Sequence, residues 1–236
     1  DKESQSLSSA TKEVYRYKEA LSYGVKMLKT KPITNNLLKE VMQIITERQS
    51  EFRNLPGTVL KNGQGEIVYT PPQNLIEILE HMKNLEQFIN DQTMSDFDPL
   101  VKMAIIHHQF ESIHPFFDGN GRTGRILNIL YLIAENILEI PILYLSRYIT
   151  KNKAKYYSLL QKVRDEGSWD EWIIFMLEAL ENTARQTIAT IESIKSIMAE
   201  DKIILRDKEP KLYSHELINT IFSHPYTKIE FIITNR

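Results

Sequence analysis

His114-Pro115-Phe116-Phe117-Asp118-Gly119-Asn120-Gly121-Arg122-Thr123-Gly124-Arg125 packs a titratable base, a carboxylate, three glycines, an amide side chain and two arginines into twelve positions. Both flanks of this stretch read as helices. Upstream, Asp98-Pro99 is a cap followed by proline at the first helical position, and Leu100, Met103, Ala104 and Phe110 keep an apolar helical spacing. Downstream, Ile126, Leu127, Ile129, Leu130, Leu132 and Ile133 make a run that is apolar on most sides, the pattern of a buried helix. The stretch is therefore a loop feeding a central helix, with the composition of a site rather than of a core.

Gly119, Gly121 and Gly124 let the backbone turn tightly and approach a ligand, and the first amides of the new helix have no intrahelical partner. Free amides at the positive end of a helix dipole make an anion site. Arg122 and Arg125 are three apart, so they project to one side and can add bidentate contacts to phosphate oxygens. Asp118 cannot help bind bare phosphate, but it can hold the Mg²⁺ that accompanies a nucleotide. His114 is the residue here whose ordinary pKa suits proton abstraction near neutral pH. Two generic patterns overlap the stretch and both fail. Gly119-x-Gly121-x-x-Gly124 has the dinucleotide spacing, but a helix and His-Pro precede it where that fingerprint needs a strand. Gly119 to Gly124 followed by Arg125-Ile126 mimics a P-loop without its Lys and Ser/Thr.

The stretch resembles the signature of the Fic family, His-x-Phe-x-(Asp/Glu)-Gly-Asn-(Gly/Lys)-Arg-x-x-Arg, and matches it at every fixed position. The resemblance implies an all-α fold, a Fic-type helical bundle with a small β-hairpin flap. It also implies a protein adenylyltransferase that moves AMP from ATP, with Mg²⁺, onto a Ser, Thr or Tyr hydroxyl of a target protein. Carried over by position, His114 is the general base and Phe116 anchors the loop in the core. Asp118 is the metal ligand, Gly119, Asn120 and Gly121 form the anion hole, and Arg122 and Arg125 bind the outer phosphates. Phe117, Thr123 and Gly124 complete the nucleotide-binding set. Relatives set a tyrosine of a later helix beside the adenine, and that role falls here on Tyr157. Other members of the family remove AMP or transfer other phosphate-linked groups; the retention of His114, Asp118 and Arg125 together favours transfer of AMP. A regulator that senses ATP without transferring anything is the alternative, and it needs no base.

Many Fic proteins are held off by a helix bearing Ser/Thr-x-x-x-Glu-Gly/Asn, whose Glu occupies the second motif arginine, here Arg125. Ser9 to Glu13 followed by Val14, and Ser196 to Glu200 followed by Asp201, both miss the last position. Because Glu13-Val14 through Ala20-Leu21 resembles the stretch just after the inhibitory segment in longer members, that segment is expected upstream of Asp1.

The 236 residues suffice for one large domain, or one domain and a small appendage. Hydrophobic content of 42% and charged content of 25% are ordinary for a soluble protein, and a net charge of −2 gives no global attraction to nucleic acid or to an anionic membrane. The absence of cysteine suits a reducing cytoplasm. Ile126 to Leu145 is the most apolar stretch, but Asn128, Glu135, Asn136, Glu139 and Pro141 interrupt it, so it is a core helix and not a membrane span.

Around the motif, helices are expected over 11–28, 36–48, 72–90, 152–166 and 169–200, with 142–148 as a linker and a Ser-rich, frayed start over 1–10. Thr58-Val59-Leu60 and Ile67-Val68-Tyr69 flank an Asn62-Gly63 turn and read as a hairpin. By resemblance this is the flap, about 57–70, on which a target protein docks as an added strand, with Glu51-Phe52-Arg53 and Pro71-Pro72 at its borders. His107, His108 and Glu111 invite a metal reading with His114, but adjacent helical histidines point about 100° apart and cannot easily share an ion. His107 reads instead as a core histidine. The expected domains are a Fic domain with its N-terminal helical region over 1–200, its core about 36–180, and a small C-terminal helical segment over 201–236. That segment has short helices at 215–222 and 227–233 split by His224-Pro225, and it resembles the opening of a winged-helix module. It ends before any recognition helix, so nucleic acid is not an expected partner. The apolar faces of the N-terminal helices suit a homodimer as readily as a core.

Overall fold

Cap chemistry sets the starts of the first four helices. In the computed structural model, which describes residues 8–223 and 226–234, Ser8 accepts from the Thr11 amide and opens α1 (Ser9–Leu28). Thr34 accepts from the Leu37 amide ahead of α2 (Asn35–Thr46), and Asn74 from the Glu77 amide ahead of α3 (Leu75–Asn90). Asp98 accepts from the Leu100 amide and Pro99 opens α4 (Pro99–Ile113). The remaining helices are α5 (Asn120–Ala134), α6 (Ser146–Lys151), α7 (Lys153–Glu166), α8 (Trp169–Lys208), α9 (His215–Phe222) and α10 (Ile229–Thr234). The strands among the described residues are β1 (Leu60–Lys61) and β2 (Ile67–Tyr69), paired antiparallel with Leu60 opposite Tyr69 and Lys61 opposite Ile67. Their turn is closed by Asn62, whose side-chain oxygen accepts from the amides of Gln64 and Glu66, each at 3.0 Å. The fold is thus all-α with one small hairpin.

The chain falls into two compact units, Asp1–Thr183 and Ala184–Arg236. In the first, α5 is the central element. Ile126, Leu127, Ile129, Leu130, Tyr131 and Leu132 are all buried, and α5 packs against α1, α2 and α4, with α3 on the outer side of α4. A helix that is apolar nearly all round needs such enclosure. Trp172, at the start of α8, is also fully buried and donates its indole N–H to the Ala104 carbonyl of α4 at 2.8 Å. That bond and its ring area lock α8 onto the helix leading into the motif.

Two expectations change. The segment 142–148 reads as a linker in the sequence, yet residues 146–151 form the short helix α6. The helix expected to end at Glu200 runs on to Lys208, because nothing before Pro210 breaks it and a charged, exposed sequence is compatible with a solvated helix. The expected domain boundary at 200 lies inside α8. Residues 1–7 of the expected frayed start, and the His224-Pro225 break, lie outside the described residues. Among the described residues no helix is long and apolar enough to cross a membrane.

Candidate active site

The loop between α4 and α5 is held by buried partners on three sides. His114 caps α4 with φ 49° and ψ 57°, a left-handed conformation that costs a side-chain-bearing residue about 1–2 kcal/mol. Arg53, fully buried, offsets that strain. Its Nε donates to the His114 carbonyl at 2.6 Å and its Nη2 to the Ile113 carbonyl at 3.1 Å, while its backbone amide donates to the Pro115 carbonyl at 2.8 Å. A guanidinium at the carbonyl end of a helix meets both the unpaired acceptors and the negative end of the dipole. Phe116 is fully buried, with ring centroids 5.4 Å from Phe52 and 6.4 Å from Phe110. The Asn120 side chain then clamps the loop shut: its Oδ1 accepts from the Phe116 amide at 2.9 Å and its Nδ2 donates to the Phe116 carbonyl at 2.7 Å. Gly119 turns the chain into α5 at φ 75°, and a Cβ there would lie 2.7 Å from Met42 Cε.

This frame sets a neutral imidazole beside an uncapped helix N-terminus. Burial, and then the charge of Arg53, push the His114 imidazole down to about 4, so it is neutral at pH 7. Its Nδ1 is buried and unpartnered. No side chain caps α5, so its first-turn amides keep their donors, and the Gly119 amide just before them donates to Asp118 Oδ1 at 2.6 Å. Arg122 donates from Nη1 to Glu13 Oε1 of α1 at 2.9 Å and lies 3.5 Å from both Asp118 carboxylate oxygens. Arg125 folds back along the first turn, its Nη1 3.2 Å from where a Gly121 Cβ would stand, and its Nε is buried without a partner. The Asp118 carboxylate is largely exposed, and among the described residues no three His, Asp, Glu or Cys groups gather to hold a metal. One accessible carboxylate beside a phosphate site fits Mg²⁺, which takes one or two protein carboxylates and completes its shell with waters and phosphates.

The other expected site residues divide. Phe117 and Tyr157 are exposed, at 59% and 55%, and so are free to face a ligand. The Tyr157 hydroxyl is raised by burial and by Glu111 and lowered by Arg125, which places it within the electrostatic reach of the motif. Asn120, Thr123 and Gly124 are different. The Asn120 amide is used up on Phe116, leaving its backbone N–H for an anion. Thr123 is fully buried, with its hydroxyl 3.3 Å from Met42 sulfur and its amide bonded to the Gly119 carbonyl. Gly124 faces α4, where a Cβ would stand 2.8 Å from Glu111 Oε1 and 3.1 Å from Phe110. Thr123 and Gly124, read from the sequence as part of the nucleotide-binding set, are packing positions: the first turn of α5 points them inward.

The two histidines of α4 have separate partners. His107 Nδ1 accepts from Asn128 at 3.1 Å, which leaves its Nε2 proton for the Tyr156 hydroxyl at 2.9 Å, and His108 Nε2 meets the Leu160 carbonyl at 3.2 Å. Sequence reasoning missed Arg164, gave Arg53 only as a border of the flap, and gave Glu111 only in the metal reading that was set aside. Glu111 is buried with an unpartnered Oε1 beside Gly124, and desolvation raises its carboxyl to about 7 against the opposing charges of Arg125 and Arg164. Its signal was its place three residues before His114, one turn back on the same helix face.

Residues 32–132 match the Fic/DOC family, and residues 197–236 match the C-terminal domain of SoFic-like protein adenylyltransferases. The chain is 27% identical over 118 residues to the protein adenylyltransferase fic-1 of Caenorhabditis elegans, covering 49% of this chain and 22% of that protein. It is 33% identical over 146 residues to the protein adenylyltransferase Fic of Drosophila virilis, covering 62% of this chain and 29% of that protein. It therefore spans only a quarter or so of the length of these curated relatives. A crystal structure of a Fic family protein from Desulfovibrio desulfuricans G20 shares the fold, with a TM-score of 0.64 at 17% identity, over 93% of this chain and 62% of that one.

Proposed function

We infer that this chain, which belongs to the Fic/DOC family through residues 32–132, is a protein adenylyltransferase that moves AMP from ATP to a Ser, Thr or Tyr hydroxyl of a target protein. The reading is carried by a neutral imidazole, His114, standing next to an uncapped helix N-terminus that bears Arg122 and Arg125. The target hydroxyl gives its proton to His114 while its oxygen forms a bond to the α-phosphorus. The bond from that phosphorus to the bridging oxygen breaks, and pyrophosphate leaves with the electron pair. The Gly121 and Asn120 amides face the charge that develops on the α-phosphate, and Arg122 and Arg125 hold the outer phosphates. Arg122 must leave Glu13 to do so, and an exposed pair of this kind is worth no more than about 1 kcal/mol. Asp118 would hold Mg²⁺, whose charge neutralises the phosphates when it is bound. The target docks as a strand on the hairpin, where Leu55, Ile67 and Val68 are exposed.

The test is incubation with Mg²⁺ and ATP labelled at the α- or the γ-phosphate, in lysate and alone. Protein-bound α-label is expected, and His114→Ala should lower it by roughly 10²–10⁴-fold while ATP binding persists. Transfer of the γ-label alone would make the chain a phosphotransferase, and ATP binding with neither label would make it a nucleotide sensor.

A further inference from the structure

One guanidinium joins the hairpin to the helix that ends at the base. Arg164, on α7, donates from Nε to the Ser112 hydroxyl of α4 at 3.0 Å and from Nη1 to Gln161 of its own helix at 3.3 Å. Its guanidinium carbon lies 3.8 Å from the centroid of the Tyr69 ring, at the end of β2. Ser112 stands two residues before His114 on the chain. The same side chain therefore touches α4, α7 and the hairpin.

The hairpin needs such a tie. Its strands are two and three residues long with an irregular register, and Ile67 and Val68 are exposed. A hairpin this short is marginal in water without outside support. At its base, Gln73 accepts from the Gly57 amide at 2.7 Å and donates to the Thr58 carbonyl at 2.9 Å, but these bonds close the hairpin on itself. An arginine suits the outside tie because its plane can stack on a ring while its edge donates hydrogen bonds, which the point charge of a lysine cannot do.

We propose that Arg164 is a positioning residue: stacked on Tyr69 and bonded to Ser112, it holds the hairpin at a fixed distance from His114, and so sets where a docked target hydroxyl meets the base. The consequence for the reaction rests on the reading of 57–70 as the docking flap; the tether itself does not. The stack stands well inside the roughly 6 Å limit for a cation over a ring, so its loss should raise the opening of the hairpin by roughly two- to thirtyfold.

The experiment is amide hydrogen exchange across 58–70 in the full chain, for wild type, Arg164→Lys, Tyr69→Leu, Tyr69→Phe and the Lys/Leu double variant, beside a titration with ATP and Mg²⁺. Arg164→Lys and Tyr69→Leu should each speed exchange there by that factor, Tyr69→Phe should match wild type because it keeps the ring, and the double variant should be no faster than either single one. ATP affinity should be unchanged throughout. Tyr69 lies outside the helical core, so Tyr69→Leu tests the tie even if Arg164→Lys loosens α7. Unchanged exchange in Tyr69→Leu, or additive effects in the double variant, would overturn the proposal. Failure of α-label transfer in wild type would sink the transferase reading and leave the exchange result standing.

Discussion

Replacing Arg53 by Met keeps the volume of the side chain and removes what braces the end of α4. In the wild-type protein the Ile113 and His114 carbonyls receive two charge-assisted bonds from a fully buried guanidinium. Met leaves both acceptors in place, buried and unpaired, at about 1–3 kcal/mol each. Against this stands the relief of the buried charge, one of whose amino groups, Nη1, already has no partner. The net loss expected is about 3 kcal/mol. With a urea m-value of about 2–3 kcal/mol/M for a unit of this size, the unfolding midpoint should fall by about 1 M. Trp169 and Trp172 report on the same unit as Arg53, so urea unfolding followed by tryptophan fluorescence is the assay. The charge of Arg53 is also the second cause, after burial, of the low pKa of His114. The imidazole should therefore titrate higher in the variant than the value of about 4 in the wild type, read from its ring proton shifts. A midpoint within about 0.2 M of wild type, with His114 titrating as before, would refute the bracing role.

Asn120→Ala should cost about 2–4 kcal/mol in the same unfolding assay, because it strands both the amide and the carbonyl of Phe116. Asn120→Asp, which keeps the acceptor and loses the donor, should fall between, and equal losses in the two would argue that the clamp is not the cause. The pH dependence comes from three histidines held neutral, with His107 at about 3 and His108 and His114 at about 4, and one carboxyl, Glu111, raised to about 7. As pH falls below the unfolded histidine value of about 6.5, the unfolded chain takes up protons that the folded chain refuses, so stability is full above that pH and drains below it. Glu111 acts the other way, since the folded chain protonates it first, and the net loss between about pH 6.5 and 5 should be roughly 2–4 kcal/mol. The transfer rate should show no acid limb near 6.5 from His114, and an inflection there that persists in Glu111→Gln would contradict a base at about 4.

What is legible in the sequence is local or periodic. Thr34, Asn74 and Asp98 cap helices within three residues of their own positions, and the apolar surround of α5 is visible in one window. The motif loop is legible for a different reason: its glycines, arginines, carboxylate and imidazole fall together in one short window. The rest is hidden by distance or by phase. Arg53 meets carbonyls 60 and 61 residues away, and Arg164 meets Ser112 across 52. No window pattern reports such pairs. Thr123 and Gly124 read as ligand contacts in the sequence because their direction depends on where α5 starts, and the local clamp of Asn120 on Phe116, four residues back, goes with that phase. The extension of α8 to Lys208 is hidden because a run of charge does not by itself separate a solvated helix from a loop, and an exposed helix tolerates it.

If ATP is the substrate, as proposed, a chain of net charge −2 has to receive a polyphosphate, and the division of labour within the motif bears on how it does so. The neutral polar side chains, Asn120 and Thr123, face inward and are occupied by the fold, which leaves the first backbone amides of α5 without a side-chain cap. Around them Arg125 and Arg164 stand near one buried carboxyl, Glu111, and desolvation favours the protonated form of that carboxyl. When Glu111 holds its proton, it no longer offsets the charges of Arg125 and Arg164. Under the proposed function, positive charge in partly buried surroundings, where water screens little, would favour a triphosphate whatever the charge of the whole chain. It also keeps His114 unprotonated, since a second positive charge there is disfavoured by burial and by the neighbouring arginines alike. In the proposed reaction the labour is thus split between two pairs of arginines: Arg122 and Arg125 are assigned to the phosphates, while Arg53 and Arg164, with burial, hold His114 in the neutral form that a base requires.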